Sequence, residues 1–141
     1  MTLRLDSLRH WIATQHRLSP DACRWEAVAG DASLRGYCRV TFPDATTRIV
    51  MDAPPALEDS GPFVAIGREW HAAGLPVPTI HAVDLEQGFI ELDDLGNDSL
   101  HRHFDTDAGA RAGTAQALDL LDAIEQRAPF SSLPRYEPAF L

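Results

Sequence analysis

None of the twelve basic residues in this 141-residue chain is a lysine; all are arginines. Any chemistry that needs an ε-ammonium, such as a Schiff base or the phosphate-pairing lysine of many nucleotide enzymes, is therefore excluded. No run of about 18 apolar residues is present, so no membrane-spanning helix is expected. No cationic cluster occurs and the net charge is −9, which argues against nucleic acid, because phosphate binding rests on clustered cations. The two cysteines, Cys23 and Cys38, stand far apart without metal-site spacing, and reduced thiols are the expectation. The opening residues lack the charged-then-apolar order of a signal peptide, which points to the cytoplasm. Neither G-x-G-x-x-G nor G-x-x-x-x-G-K-[ST] occurs, and there is no internal repeat.

What is present is an ordinary globular composition, 45% hydrophobic and 23% charged, sufficient for a packed core. Leu5, Leu8, Trp11 and Ile12 recur at helical spacing, continued by Leu18 and stopped at Ser19-Pro20. Arg24 to Val28 reads as a strand. Tyr37, Arg39 and Thr41 alternate with Cys38, Val40 and Phe42 in a second, and Arg48 to Met51 makes a third. A helix begins near Ser60, capped by that serine, with Pro62 in its first turn and Gly74 beyond its end. Thr79 to Leu85 and Gly88 to Leu92 form a hairpin about Glu86-Gln87-Gly88. A short helix over 99–104 precedes a longer one reaching about Arg127, with Ala117, Leu118, Leu121 and Ile124 as its buried stripe. Helix, three strands, helix, two strands and helix give an α+β fold: a five-stranded antiparallel sheet with flanking helices.

The stretch Gly88 to Gly96 is where the architecture changes from strand to helix, and it reads as a hinge. Its carboxylates, Glu91, Asp93 and Asp94, together with Asp98 just beyond it, do not match a calcium loop. The backbone there is the expected functional part. The turn Gly30-Asp31-Ala32-Ser33-Leu34-Arg35-Gly36 joins two strands. Its small residues allow main-chain N–H groups to approach an anion, Ser33 adds a hydroxyl, and Arg35 adds a fork of donors suited to phosphate. The plain alternative is a hairpin turn carrying a solvated arginine. His103-x-Asp105 imitates the start of a kinase catalytic loop, but Ala110 stands where asparagine should follow. No catalytic residue and no metal ligand is assigned.

Gly30 to Tyr37, then Val50-Met51-Asp52-Ala53-Pro54-Pro55, then Asp84 to Gly96 resemble the aminoglycoside-phosphotransferase-like kinases. Among their branches they are most similar to the bacterial anomeric kinases of N-acetylmuramate and N-acetylglucosamine. Leu75-Pro76-Val77-Pro78 resembles the connector after the middle helix. The resemblance implies a protein-kinase-like N-terminal lobe over residues 1–95, with a hinge and the first helices of an incomplete C-terminal lobe over 96–141. It implies ATP and Mg2+ as cofactors and a small sugar as acceptor in a full-length parent. Gly30, Asp31, Ala32, Ser33 and Arg35 would cover the phosphates, and Leu92, Asp93, Asp94 and Leu95 would hold the adenine edge. Met51 marks the third-strand position near which protein kinases carry the phosphate-pairing lysine. Arg35 or Arg48 would have to supply that charge, and Glu69 loses its usual partner.

The catalytic aspartate loop and the metal ligands are absent from these residues, so the chain by itself is expected to bind nucleotide weakly without turnover. Two other readings stand beside this one: a degenerate, non-catalytic binding module, and a true aminoglycoside phosphotransferase. The last helix is expected to show an apolar face, favouring self-association.

Overall fold

The computed structural model describes residues 4–28 and 34–129. Among them the order is α1 (Leu5–His16), β1 (Arg24–Val28), β2 (Gly36–Thr41), β3 (Thr47–Asp52), α2 (Gly61–Ala72), β4 (Ile80–Asp84), β5 (Phe89–Asp93), a 3-10 turn (Leu100–His103) and α3 (Asp107–Arg127). The five strands form one antiparallel sheet in the order β1-β2-β3-β5-β4. The closing hairpin therefore enters by its second strand: β5 lies beside β3, and β4 is the edge. The α+β class is the one the hydrophobic periodicity predicted.

Strand alternation sends neighbouring side chains to opposite faces, and both faces are covered. On one, Val40, Phe42, Val50 and Phe89 pack with Leu8, Trp11 and Ile12 of α1; the Trp11 and Phe89 rings are tilted at 5.8 Å. On the other, Met51, Ala53, Ile90 and Leu92 pack with Val64, flanked by Tyr37, Ile49 and Phe63. Two carboxylates are buried in the α1-covered layer. Asp52 is fully buried, and its oxygens accept from the Arg4 backbone N–H at 3.0 Å and from Arg4 Nε at 3.1 Å. Glu91, 1% exposed, lies 2.9 Å from His16 Nε2. One residue precedes α1 and the other ends it, so the helix is pinned to the sheet at both ends.

Local signals were placed differently from expectation in two cases. α1 stops at His16, before Ser19-Pro20, because Arg17 adopts a left-handed conformation (φ 55°) and Leu18 N–H reaches back to Ala13 O at 2.9 Å. That is a Schellman-type end without glycine. At α2 the cap is not the Ser60 hydroxyl, which is buried without a hydrogen-bond partner; Asp59 Oδ1 accepts from Gly61 N–H at 2.8 Å instead. Gly88 is obligatory in its turn. Its φ is +74°, and a Cβ there would sit 1.9 Å from the Ala53 carbonyl oxygen.

The described residues fall into two compact units. One comprises residues through Val64 together with Pro78–Leu95; the other comprises Ala65–Val77 and residues from Gly96 onward. α2 gives its first turn to the first unit and the remainder to the second. Within the second, Thr106 caps α3 by accepting from Gly109 N–H at 3.1 Å. The 3-10 turn lies close on α3: a Cβ at Gly109 would meet His103 O at 2.0 Å, and one at Gly113 would meet Leu100 and Phe104 at 2.8 Å. The expected buried stripe of α3 is corrected. Leu118 and Leu121 are 56% and 60% exposed, Ala117 and Ile124 are half-buried, and Gly113 is the buried position. The close-packed side of α3 is the small-residue side that admits the 3-10 turn.

Candidate functional site

Gly30, Asp31, Ala32 and Ser33, the small residues expected to approach phosphate, lie outside the described residues. Arg35, at the end of that turn, is described. Its Nε donates to Glu58 Oε1 at 2.7 Å, Nη2 donates to the same oxygen, and Cζ stands 4.9 Å over the Phe63 ring. Glu58, before α2, thereby holds Arg35 against the start of that helix. The hydrogen bond to Glu58 pushes the guanidinium even further above its ordinary pKa, so its charge is permanent.

Met51 is fully buried between Tyr37 on β2 and Ile90 on β5; it contributes packing, and no cation occupies its position. Arg48, three residues earlier, belongs by alternation to the α1-covered face, where its Nε lies 3.9 Å from Glu91. The two arginines considered as substitutes for the lysine are thus each held by a carboxylate, on different elements.

Leu92 is 6% exposed in the second core layer. Asp93 closes β5: its N–H donates to Thr79 O at 3.0 Å, and its carboxylate accepts from Thr79 N–H at 2.9 Å and pairs with His81 Nε2 at 2.6 Å. Thr79 first, and His81 second, hold the Asp93 carboxyl well below the usual range. Asp94 pairs with Arg39 of β2 through two parallel bonds, Nε to Oδ2 at 2.6 Å and Nη2 to Oδ1 at 2.9 Å. Both side chains are largely buried, at 13% and 6% exposure. Leu95, by contrast, is 71% exposed.

The acidic stretch is therefore not the solvated linker its composition suggests. Glu91 and Asp94 are taken into the fold because each has a hydrogen-bonding side-chain partner from a distant element, which is the condition for burying a carboxylate. Those partners, His16 and Arg39, were missed. Alternation places Arg39 with Tyr37 and Thr41 on the strand face opposite Cys38 and Val40, but that pattern does not report that the face is covered or that Asp94 meets it.

His103 pairs at the surface with Asp98, Nε2 to Oδ1 at 3.1 Å, which fits a structural contact and not a catalytic loop. Among the described residues no group of three or more His, Cys, Asp or Glu could hold a metal ion, and both cysteines are free thiols. No helix among them is long and apolar enough to cross a membrane. An open concavity of about 580 Å³ runs along α1, lined by Asp6, His10, Trp11, Thr14, Gln15 and Asp84; it shares no residue with the positions above.

No family model matches the chain. It is 36% identical, over 99% of its length and 43% of the relative's, to the N-acetylmuramate/N-acetylglucosamine kinase of Pseudomonas putida. It is 40% identical to the protein of the same name from Pseudomonas aeruginosa, over 81% of this chain and 33% of that one. A third, from Neisseria meningitidis, is 30% identical over 78% of this chain and 33% of its own. The chain spans less than half the length of these curated relatives. It is thus a relative of proteins named N-acetylmuramate/N-acetylglucosamine kinases, matching over most of its own length a part of theirs.

Proposed function

We propose that this chain is the nucleotide-binding part of an ATP-dependent amino-sugar kinase, a protein-kinase-like lobe whose parent phosphorylates the anomeric hydroxyl of the sugar. The observation that carries this reading is the match along 99% of the chain to a relative named as such a kinase. The five-stranded sheet with helices on both faces supports it. So does the abrupt end of β5 at Asp93, followed by a structurally anchored residue and an exposed one.

The adenine would lie against the sheet layer that includes half-buried Ile49 and nearly buried Leu92, with its polar edge along the main chain of 93–95. An apolar wall beside main-chain donors and acceptors is what a flat heterocycle requires. The turn 30–33 and Arg35 would face the phosphates, and Arg35 would have to leave Glu58 to reach them. Bound ATP would supply the phosphoryl group. Mg2+ finds no ligand cluster among the described residues, so no step is assigned to it here. Phosphoryl transfer also needs a positioned base, and the chain contains no H-x-D-x-x-x-x-N. The 141 residues are therefore proposed to bind nucleotide weakly without turnover. Conversion of N-acetylmuramate or N-acetylglucosamine belongs to the longer parent, in the cytoplasm.

Isothermal calorimetry with MgATP tests this. Binding that disappears when Gly30 and Ser33 are replaced by bulky residues is the expected result. No heat at millimolar ATP would leave the alternative of a non-catalytic interaction module.

A further inference from the structure

We propose that Arg39 is a positioning residue for nucleotide binding: through the Asp94 carboxylate it fixes the main chain of 93–95 against the sheet. This rests on the nucleotide-binding reading above, and assigns to Arg39 a part that neither Arg35 nor Arg48 can take from where it stands.

The geometry begins with register. Arg39 on β2 is opposite Ile49 on β3, and Ile49 is opposite Leu92 on β5. Asp94 is two residues beyond Leu92, so by alternation it continues the same face. The Arg39 side chain therefore crosses β3 on the layer of Ile49, about 9.5 Å in strand-to-strand distance, and ends in two bonds at 2.6 and 2.9 Å on one carboxylate. Pairing of β5 with β3 ends at Asp93 opposite Arg48. The arginine carries the attachment of this segment to the sheet one residue past the ladder.

The chemistry explains why an arginine does this. Two parallel N–H···O bonds from a planar fork fix orientation as well as distance. An ammonium provides a point charge without that plane, so lysine is not a conservative replacement at a bidentate site. Burial matters as well: at 6% side-chain exposure, water cannot readily take the place of the guanidinium at Asp94. Since Asp94 offsets its charge, Arg39 acts on the main chain that meets the base and not on the phosphates. Loss of the strut is thus expected to affect recognition of the nucleoside.

The test compares three probes, ATP, adenosine and inorganic tripolyphosphate, on the 141-residue chain. Variants are Arg39→Lys, Asp94→Asn and the exchange of Arg39→Asp with Asp94→Arg; thermal unfolding is followed in parallel. Arg39→Lys and Asp94→Asn are expected to weaken ATP and adenosine by a similar factor, about tenfold. Tripolyphosphate binding should be unchanged, and the exchange should recover part of the loss. Unchanged ATP affinity in folded Arg39→Lys and Asp94→Asn overturns the proposal. So does a loss confined to tripolyphosphate and ATP, which would make Arg39 a direct phosphate ligand, or a uniform loss for all three probes in proportion to stability. Absence of ATP binding by the unaltered chain would overturn the underlying nucleotide reading as well, and is distinguishable from all of these.

Discussion

Arg4 carries more structural consequence than its position near the start of the chain suggests. Its backbone N–H and its guanidinium both bind Asp52, it donates to Gln87 O, and it lies 4.5 Å over the Phe89 ring. Asp52 is fully buried, so Arg4→Ala leaves a carboxylate without its cation inside the sheet. Removing one partner of a buried pair costs several kcal/mol; a loss of about 3 kcal/mol is expected in urea unfolding, and a loss under about 1 kcal/mol would contradict the burial of that pair. Asp93 gives a pH-dependent counterpart. Thr79 and His81 depress its folded-state pKa, so its stabilising contribution is fully present above the unfolded value of about 3.9 and is lost as pH falls toward the depressed one. Asp93→Asn should therefore flatten the acid limb of a stability profile measured from pH 6 to pH 2 while lowering stability at the upper end. An unchanged acid limb would show that Asp93 is not held by these partners.

At the scale of elements, all five strands, α2 and the existence of α3 were legible, because period-two alternation and the Gly88 and Gly74 turns are local signals. The end of α1 and the capping group of α2 were not. Serine and proline cues at Ser19-Pro20 and Ser60 were outcompeted by a left-handed Arg17 and by the Asp59 carboxylate one residue earlier. The candidate site was legible only in part. Residues 30–33, singled out by their glycine and serine content, lie outside the described residues, and the side-chain pairs from His16 to Glu91 and from Arg39 to Asp94 link positions 75 and 55 residues apart, a separation that no local pattern reports. α3 shows the opposite failure. Its leucines keep helical periodicity, but Gly109 and Gly113 determine which side accepts the 3-10 turn, leaving Leu118 and Leu121 outside. Leu118→Glu with Leu121→Gln should accordingly change thermal stability by no more than about 0.5 kcal/mol each; a loss above about 2 kcal/mol would mean that these side chains are buried as the periodicity implied.

For the molecule as a whole, the sheet unit is closed on both faces, and its polar interior is matched: Asp52 with Arg4, Glu91 with His16 and Asp94 with Arg39. Such a unit can hold a ligand-contacting segment rigidly, which is what a site built at a strand end requires. The chain spans 33–43% of relatives named N-acetylmuramate/N-acetylglucosamine kinases, and the role proposed for it is nucleotide binding and positioning. The net charge of −9 opposes a polyanion at long range, so the proposed nucleotide affinity would rest on short-range contacts. Amide chemical-shift mapping during an ATP titration tests that most directly. The predicted result is perturbation at Ile49, Asp94 and Leu95, with Trp11 and Gln15 on α1 unmoved. No perturbation at millimolar ATP, or shifts confined to the concavity along α1, would contradict it.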